Sequence, residues 1–271
     1  MGPIIVLGMH RSGTTLLAEI LADLGVFIGN DTNVHNESKI IFKLNESILR
    51  ISHAHWDNPQ LVENLIADET SFGETVGFIG KKVGSYEFIY RYWGFHNVLL
   101  IKFRAKKRLW GWKEPRTTVT FPVWNKNFPD AKYIYIHRNG IDVAQSLLKR
   151  EISRIGEIHS PIYSLRCLDL QRAFDLWEEY GAFFHTYRDL IPDDRLMMIA
   201  FEELVSSPAE QVTRICEFLH VDICQKTLNS IATRMNKQSK FKFADNEALI
   251  DFYKKMQNRP LMKYYRYDGI I

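Results

Sequence analysis

The 271-residue sequence contains only three cysteines, Cys167, Cys216 and Cys224, and none of them forms a CxxC pair. Three cysteines are too few, and odd in number, for a disulfide framework, and their spacing gives no indication of a zinc site. The sequence also lacks an apolar run of the roughly 18–20 residues that cross a bilayer, and a basic start followed by a signal-length apolar stretch. These absences predict a cytoplasmic protein with no membrane segment in the chain as given.

The sequence has nearly equal numbers of positive and negative side chains, with 35 lysines and arginines against 32 aspartates and glutamates. Such a small excess disfavours a nucleic-acid partner but allows a local site that binds an anion. The apolar share of 46% and the charged share of 25% are those of ordinary globular proteins. No internal repeat, low-complexity block or linker rich in Pro, Gly or Ser interrupts the chain. The sequence therefore predicts a single domain over residues 1–271.

Short apolar runs alternate with helical patterns along most of the chain. Predicted strands cover residues 3–7, 132–137 and 195–200, and predicted helices cover residues 14–24, 142–150 and 163–190. A further helix is predicted after Ser207, because Pro208 suits the first helical position and Glu210 completes a capping box. This alternation predicts an α/β fold in which helices flank a central, mainly parallel sheet. The strand, tight loop and helix at the N-terminal end of the sequence are typical of a P-loop-like nucleotide-binding architecture.

The segment from about residue 58 to residue 108 is less regular, and five glycines lie there among many aromatic residues. Two interpretations are given equal weight: a lid over the substrate within the single domain, or a loop-rich flank. The basic run over residues 102–108 is typical of a solvated face.

A glycine-containing loop, GMHRSGTT over residues 8–15, connects the first predicted strand to the first predicted helix. Its glycines have the GxxxxG spacing of a phosphate-binding loop, but Thr14 stands where ATPases and GTPases carry lysine. Glycines let the backbone approach an anion, and the helix N-terminus adds a positive partial charge. Arg11 supplies a guanidinium that suits oxyanions. The pattern predicts an anion site, with His10 as a neutral histidine packed beside it.

A second pattern that suits an anion follows the predicted strand at residues 132–137. Arg138 comes directly after this strand, and Ser146 lies eight residues further on, about one turn into the next predicted helix. These two side chains could grip one phosphate from two sides. Asp142 is better placed to cap the helix. On spacing alone, a purely structural role for Arg138 is an equal alternative.

Together the two patterns resemble the sulfotransferase superfamily, whose members use 3′-phosphoadenosine 5′-phosphosulfate (PAPS). The stretch GMHRSGTTLL is similar to the family's 5′-phosphosulfate loop, in the arginine form of tyrosylprotein and many bacterial sulfotransferases. The stretch HRNGIDVAQS resembles its 3′-phosphate motif. Three more segments match in the expected order, namely residues 36–49, WKEPRT at 112–117 and FEELV at 201–205. The resemblance covers most of residues 3–220.

The resemblance implies a set of residues that hold the PAPS co-substrate. The residues expected to bind the bridging and 5′-phosphate oxygens are Arg11, Gly13, Thr14 and Thr15. Those for the 3′-phosphate and its surroundings are Ser12, Arg138 and Ser146. Lys113 is expected to reach the same sulfate as Arg11, although a surface lysine paired with Glu114 is an alternative. Phe201 either contacts the adenine or packs in the core.

The general base is the least determined element of the predicted site. Glu37 is the first candidate, because it aligns with the acidic residue after the first helix in the arginine-loop members; its alternative is a solvent-exposed carboxylate. Glu114 is the second candidate, or pairs with Arg116 to shape the site. The sequence lacks the family's Lys-Thr-His element and its Arg-Lys-Gly-x-x-Gly segment. The basic run RMNKQSKFK at residues 234–242 either completes the 3′-phosphate site or is a solvated loop.

The expected activity is transfer of a sulfuryl group from PAPS to an acceptor hydroxyl or amine, without a metal. The acceptor is a small molecule, a carbohydrate or a peptide. One alternative is an ATP-dependent small-molecule kinase of the P-loop class, which would need Mg²⁺ and a cation in place of Thr14. The other is a non-catalytic module that binds a nucleotide.

Overall fold

Four parallel strands form the central sheet in a computed structural model of the protein, which describes residues 2–94, 108–156, 163–235 and 240–271. The strands are β1 Ile4–Leu7, β2 Gly111–Lys113, β3 Lys132–His137 and β4 Leu196–Ala200, in the order β2-β1-β3-β4. The sheet confirms the predicted α/β fold, and three of its strands lie where the apolar runs predict them. The short strand β2 was not predicted from the sequence.

The strand register brings the predicted site residues to one edge of the sheet. Val6 of β1 pairs with Lys113 of β2 on one side and with Ile134 of β3 on the other. The strands are parallel, so the loop after β1, the end of β2 and the residues after β3 all leave the sheet at its carboxyl edge. Ligands of open α/β sheets bind at this edge.

Helices cover both faces of the sheet. They are α1 Thr14–Asp23, α2 Lys39–Ile51, α3 Val62–Ala67, α4 Glu69–Val83, α5 Tyr86–Phe88 with a π-helical turn Ile89–Trp93, α6 Thr117–Asn127, α7 Gly140–Ile152, α8 Leu170–Tyr187, α9 Phe201–Ser206, α10 Pro208–Leu219, α11 Gln225–Met235, α12 Glu247–Met256 and α13 Pro260–Tyr264. Short 3₁₀ turns lie at Arg166–Leu168, Arg188–Leu190, Asp193–Arg195 and Lys242–Asp245. None of these helices is long and apolar enough to cross a membrane.

Alternate residues of each strand enter different halves of the core. Ile5 and Leu7 pack in a cluster with aromatic residues of α6 and α8, whereas Ile4 and Val6 pack with the apolar faces of α1 and α10. Four aromatic side chains of α8 are buried in the first of these clusters: Phe174, Trp177, Tyr180 and Phe184. A strand that is apolar on both sides is therefore covered on both sides, as a parallel sheet requires.

The predicted helix over residues 163–190 begins later than expected, whereas the helix after Ser207 begins at Pro208 as predicted but without the predicted cap. The single helix predicted over residues 163–190 is a 3₁₀ turn followed by α8, because the Asp169 side chain accepts a hydrogen bond from the Arg172 backbone and begins a new helix there. Ser207 does not form the predicted capping box with Glu210, since its side chain makes no capping hydrogen bond. Its backbone N–H donates to Glu203 and ends α9, which leaves Pro208 to begin α10.

The described part of the segment 58–108 is helical rather than loop-rich. Leu65 of α3, Ile79 of α4 and Phe88 of α5 are buried in the same cluster as α6 and α8. The interpretation as a loop-rich flank is thus wrong for residues 58–94. Residues 95–107, which include most of the basic run, lie outside the described residues. The lid remains a prediction.

Candidate active site

The loop after β1 has the backbone conformation that its glycines predict. Gly8 and Gly13 have φ angles of +148° and +95°, and Arg11 lies in the left-handed region at +70°. The Thr118 hydroxyl accepts from the Gly8 N–H at 2.8 Å and lies 3.1 Å from the Gly8 carbonyl. At Gly13 the chain runs so close to Phe201 that a Cβ atom would lie 2.5 Å from its ring. The loop is therefore held between α6 and α9.

Gly13→Ala is expected to lower the free energy of unfolding by about 2–4 kcal/mol, because alanine is strained at this φ and its methyl group overlaps Phe201. Urea denaturation measures the change. The matched control is Gly73→Ala, since Gly73 lies in α4 with open space around its Cβ position and an ordinary φ. That control should be neutral or stabilising. Equal stability of the two variants would contradict the close approach at Gly13.

The two predicted anion motifs meet at Arg11. Its Nε donates to the Ser146 hydroxyl at 2.8 Å, across 135 residues of sequence. Arg138 also contacts this loop, with its Nη1 3.5 Å from the Arg11 carbonyl, and its guanidinium lies 4.5 Å above the Phe201 ring. Ser12, the next residue of the loop, is only 1% exposed. The Ser12 hydroxyl and the Arg138 Nε are buried without a hydrogen-bond partner in the part of the chain that the structure describes.

Arg138 is held in place by Asp142, which does not cap the helix as predicted. The cap of α7 is Asn139, whose side chain accepts from the Ile141 backbone at 2.9 Å. Because α7 begins two residues earlier than predicted, Asp142 lies inside its first turn. There its carboxylate accepts from Arg138 at 2.8 Å and from the Phe243 backbone at 2.9 Å.

Lys113, Glu37 and Thr15 lie together beside the loop. Lys113 is 1% exposed, and its ammonium is 3.0 Å from Glu37 Oε1 and 3.3 Å from the Thr15 hydroxyl. The backbones of Glu37 and Lys113 also form a parallel bridge, which fixes the carboxylate next to β2. The alternative of a surface lysine paired with Glu114 is therefore wrong. So is the exposed carboxylate, because the Glu37 side chain is 17% exposed.

The ion pair sets the protonation of Glu37. Burial raises the pKa of this carboxyl, but the charge of Lys113 and the hydrogen bond from Asn33 Nδ2, 2.9 Å long, outweigh burial and hold the pKa below its ordinary value. Burial lowers the pKa of Lys113 in spite of its partner. Glu37 is consequently ionised at neutral pH and able to accept a proton.

Glu114 lies deeper, in a network that closes the floor of the site. It is fully buried, with its two oxygens 2.6 Å from Asn45 Nδ2 and 2.7 Å from Arg116 Nη1. Arg116 also lies 2.6 Å from Glu46. Burial raises the pKa of Glu114. Glu114 thus pairs with Arg116, as in the alternative role. No pattern in the sequence indicates the contact of Glu114 with Asn45 or that of Arg116 with Glu46.

A cavity of about 450 Å³ opens beside the loop. Five predicted site residues line it: Arg11, Thr14, Thr15, Glu37 and Lys113. The predicted site residues Ser12, Gly13, Arg138, Ser146 and Phe201 do not line it. His10 also borders the cavity, edge-on to Trp56 at 4.9 Å. Burial, together with nearby cations, lowers the pKa of His10, so the residue is neutral as predicted.

Part of the basic run at 234–242 can be located. Arg234 pairs with Asp23 at 2.6 Å on the surface of α1, away from the loop. The Lys242 backbone N–H lies 3.3 Å from the Asp142 carboxylate. Residues 236–239 lie outside the described residues, so the role of this run in the 3′-phosphate site stays a prediction.

Comparison with known proteins places the chain in a family. The model of the sulfotransferase family matches residues 3–225, whereas no curated protein matches the chain. A sulfotransferase domain from the curacin biosynthetic pathway is 19% identical with a TM-score of 0.50, and covers 99% of this chain and 96% of its own. A sulfotransferase domain of the olefin synthase from Synechococcus PCC 7002 is 18% identical with a TM-score of 0.52, over 98% of this chain and 94% of its own.

A third solved structure, a sulfotransferase from Mycobacterium avium, is 15% identical with a TM-score of 0.51, over 94% of this chain and 76% of its own. Identities this low show a shared fold. The family match extends over most of the chain, from β1 to the start of α11, and includes both anion motifs. It confirms the resemblance seen in the sequence: the chain belongs to the sulfotransferase family.

Proposed function

We propose that this sulfotransferase takes PAPS as its donor and transfers the sulfuryl group to a hydroxyl or amine of an acceptor. The contact that carries the proposal is the hydrogen bond from Arg11 to Ser146 at 2.8 Å. It joins the loop at residues 8–15 to the motif after β3, and Arg138 lies against the same loop. One continuous cationic surface of this kind suits a nucleotide with phosphates at both its 5′ and its 3′ positions.

The residues present fit such a donor. The buried Ser12 hydroxyl and Arg138 Nε are donors without partners in the described chain, and each can bind a phosphate oxygen. Arg11 and Thr14 border the cavity at the N-terminus of α1, where backbone N–H groups favour an anion. When bound, PAPS supplies a sulfuryl group with a 5′-phosphate as leaving group.

The chain's own residues then have separate tasks. Glu37 takes the proton that the acceptor oxygen or nitrogen gives up, so that the products are the sulfated acceptor and 3′-phosphoadenosine 5′-phosphate (PAP). Lys113 keeps Glu37 ionised. The ammonium of Lys113 also contacts the Thr15 hydroxyl, so the positive charge of Lys113 lies beside the loop. Arg11 and the start of α1 stabilise the charge that builds up on the leaving phosphate. A small molecule, a carbohydrate or a peptide supplies the accepting group.

Binding of PAP and of ATP with Mg²⁺, titrated separately by calorimetry, tests the donor. Tight binding of PAP without metal and weak binding of ATP are expected, because the loop has Thr14 where a kinase needs lysine. Transfer of label from PAPS to candidate acceptors follows. If ATP with Mg²⁺ binds and PAP does not, the donor is wrong, and the loop belongs to a kinase-type site.

Arg138→Ala is expected to weaken PAP binding by roughly 10- to 150-fold, the value of a hydrogen bond to a charged group, and to leave AMP binding almost unchanged. AMP lacks the 3′-phosphate, so it is an internal control for folding of the loop. Calorimetry with both ligands on one protein preparation measures the difference. An equal loss for PAP and AMP would contradict the assignment of Arg138 to the 3′-phosphate.

A further inference from the structure

The proposed base lies in a loop that is closed at its two ends. An antiparallel bridge joins Thr32 to Ser38, and inside it the Asn33 N–H donates to the Glu37 carbonyl at 3.0 Å. The Asn33 carbonyl in turn accepts from the backbone N–H of Asn36 at 3.0 Å, and Asn36 turns the chain with a φ of +57°. This base loop therefore has one defined shape, in which residues 33 and 37 lie side by side.

The backbone of the base loop fixes which way the Asn33 amide points. Oδ1 of Asn33 accepts from the backbone N–H of His35 at 2.8 Å and from that of Glu37 at 3.0 Å. Two N–H donors at one atom require an oxygen there, so the amide nitrogen must be on the other side. That nitrogen, Nδ2, lies 2.9 Å from Oε2 of Glu37. The loop thus directs an N–H group at the carboxylate of the proposed base.

Each oxygen of the Glu37 carboxylate contacts a different donor. Lys113 of β2 lies 3.0 Å from Oε1, and Asn33 of the base loop lies 2.9 Å from Oε2. Because the donors come from separate elements, the carboxylate is held at both oxygens and cannot rotate freely. Each oxygen can still accept another hydrogen bond, and all three residues line the cavity. An acceptor in the cavity therefore meets a carboxylate that is already oriented.

The two donors act on Glu37 in different ways. Burial raises the pKa of Glu37, whereas the charge of Lys113, the hydrogen bond from Asn33 and the charge of Arg116 lower it, and the net direction is downward. Lys113 contributes a full charge, but Asn33 is neutral and contributes a hydrogen bond to the ionised form. Removing the Asn33 N–H should therefore raise the pKa of Glu37. A negative charge in its place should raise that pKa further.

Other titratable or charged groups surround the pair of Glu37 and Lys113. They come from the loop after β1, the base loop itself, α2 and the residues at the end of β2, and they include His10, Arg11, His35, Lys39, Glu114 and Arg116. Arg150 and Arg154 border the same cavity from α7 and the turn after it. All of these groups stay the same when only residue 33 is changed. A change in the Glu37 carboxyl that follows the residue at position 33 therefore reports on the Asn33 amide.

We propose that Asn33 is a positioning residue for sulfuryl transfer, whose amide holds the Glu37 carboxylate ionised and turned toward the cavity. The proton of the acceptor passes to a Glu37 oxygen, and Asn33 keeps its own protons throughout. This inference rests on the proposed function, in which Glu37 is the base, and adds a residue on which that base depends.

Two substitutions separate the amide from the turn that it caps. Asn33→Ser keeps a side-chain oxygen for the two backbone N–H groups, as serine does in turns of this kind, but its shorter side chain does not extend to Glu37. Asn33→Asp keeps the same acceptor and places a carboxylate oxygen where Nδ2 lies. The matched controls are Asn64→Ser and Asn64→Asp, since Asn64 is an exposed asparagine of α3 that does not line the cavity.

Two measurements are made on each variant. The ¹³C signal of the Glu37 carboxyl, assigned by its loss in Glu37→Gln, is titrated against pH without donor or acceptor. Transfer of label from PAPS to 2-naphthol, octan-1-ol and methyl glucoside gives kcat and its pH profile, and calorimetry gives the affinity for PAP.

The expected order is the same in both measurements. The carboxyl titration and the acidic limb of kcat should move to higher pH in Asn33→Ser and further in Asn33→Asp. At neutral pH, kcat should fall about 10- to 100-fold in both variants, because the base is no longer oriented. The affinity for PAP should not change, and the Asn64 variants should match the unaltered protein. A role of Asn33 in folding alone would not move the titration of Glu37 in this order.

A carboxyl titration that is the same in all three proteins overturns the proposal. So does a shifted titration with an unchanged kcat, where Glu37→Gln does lower kcat. If Glu37→Gln leaves kcat unchanged, the base in the proposed function is wrong, and the positioning role fails with it. If the unaltered protein transfers no label to the three probes, the carboxyl titration decides by itself whether Asn33 holds Glu37 ionised.

Discussion

Glu37→Gln is expected to lower kcat by roughly 10²- to 10⁴-fold, the usual contribution of a general base. Glutamine has nearly the same shape but cannot take the acceptor's proton. The amide can still accept a hydrogen bond from Lys113 and line the cavity, so the affinity for PAP should change little. Single-turnover transfer from labelled PAPS measures the rate, and calorimetry measures PAP binding.

Two further variants separate catalysis from folding. Glu63→Gln is the matched control, because Glu63 is an exposed carboxylate on α3 and should leave kcat unchanged. Glu37→Asp keeps the charge but shortens the side chain, so it should retain part of the activity. If kcat of Glu37→Gln equals that of the unaltered protein, another residue is the base. A matched fall in PAP affinity would show instead that Glu37 only supports the loop.

The pH profile gives a second view of the same carboxylate. The ion pair with Lys113 holds the pKa of Glu37 below the ordinary glutamate value, although burial acts in the other direction. A base works only when deprotonated, so kcat should rise with pH on an acidic limb that lies below the ordinary range of a glutamate carboxyl. Glu37→Gln should abolish that limb. A limb near pH 6 would point to a histidine instead.

Those parts of the fold that depend on local pattern were predictable from the sequence. The apolar runs of β1, β3 and β4 are short and buried, and Gly8 and Gly13 mark a turn that needs positive φ. The strand β2 was not predicted, because three residues carry no periodicity and Gly111 joins the sheet only through pairing with distant Ile4. The start of α7 was misplaced because Asn139 and Asp142 are both good caps, and spacing does not choose between them.

The candidate site was predictable only where it is local in sequence. The loop at residues 8–15 and the motif at Arg138 each carry their own signal, and the structure joins them through Ser146. The floor of the site was not predictable, because Asn45 and Glu114 meet across 69 residues of sequence. Arg150, which also lines the cavity beside the loop, was not predicted for the same reason. In the sequence it is an unremarkable cation at a helix end, and only the fold brings it to the cavity.

The buried pair of Arg116 and Glu114 leads to the largest expected change in stability. Arg116→Leu should lower the free energy of unfolding by about 3–5 kcal/mol, because it leaves Glu114 charged, or forced to take up a proton, in a fully buried position. Urea denaturation at neutral pH measures the loss. Arg50→Leu is the control, since Arg50 is exposed on α2 and its loss should cost less than about 0.5 kcal/mol.

A double variant then distinguishes pairing from packing. Arg116→Leu with Glu114→Leu removes both charges, and the double change should cost clearly less than the two single changes added together. The remaining cost comes from Glu46 and Asn45, which each lose a partner. Strict additivity would mean that the two residues contribute through volume alone. If Arg116→Leu is as stable as the Arg50→Leu control, water must reach the Glu114 carboxylate. The network around Glu114 would then not be the rigid support that orients Glu37, the proposed base.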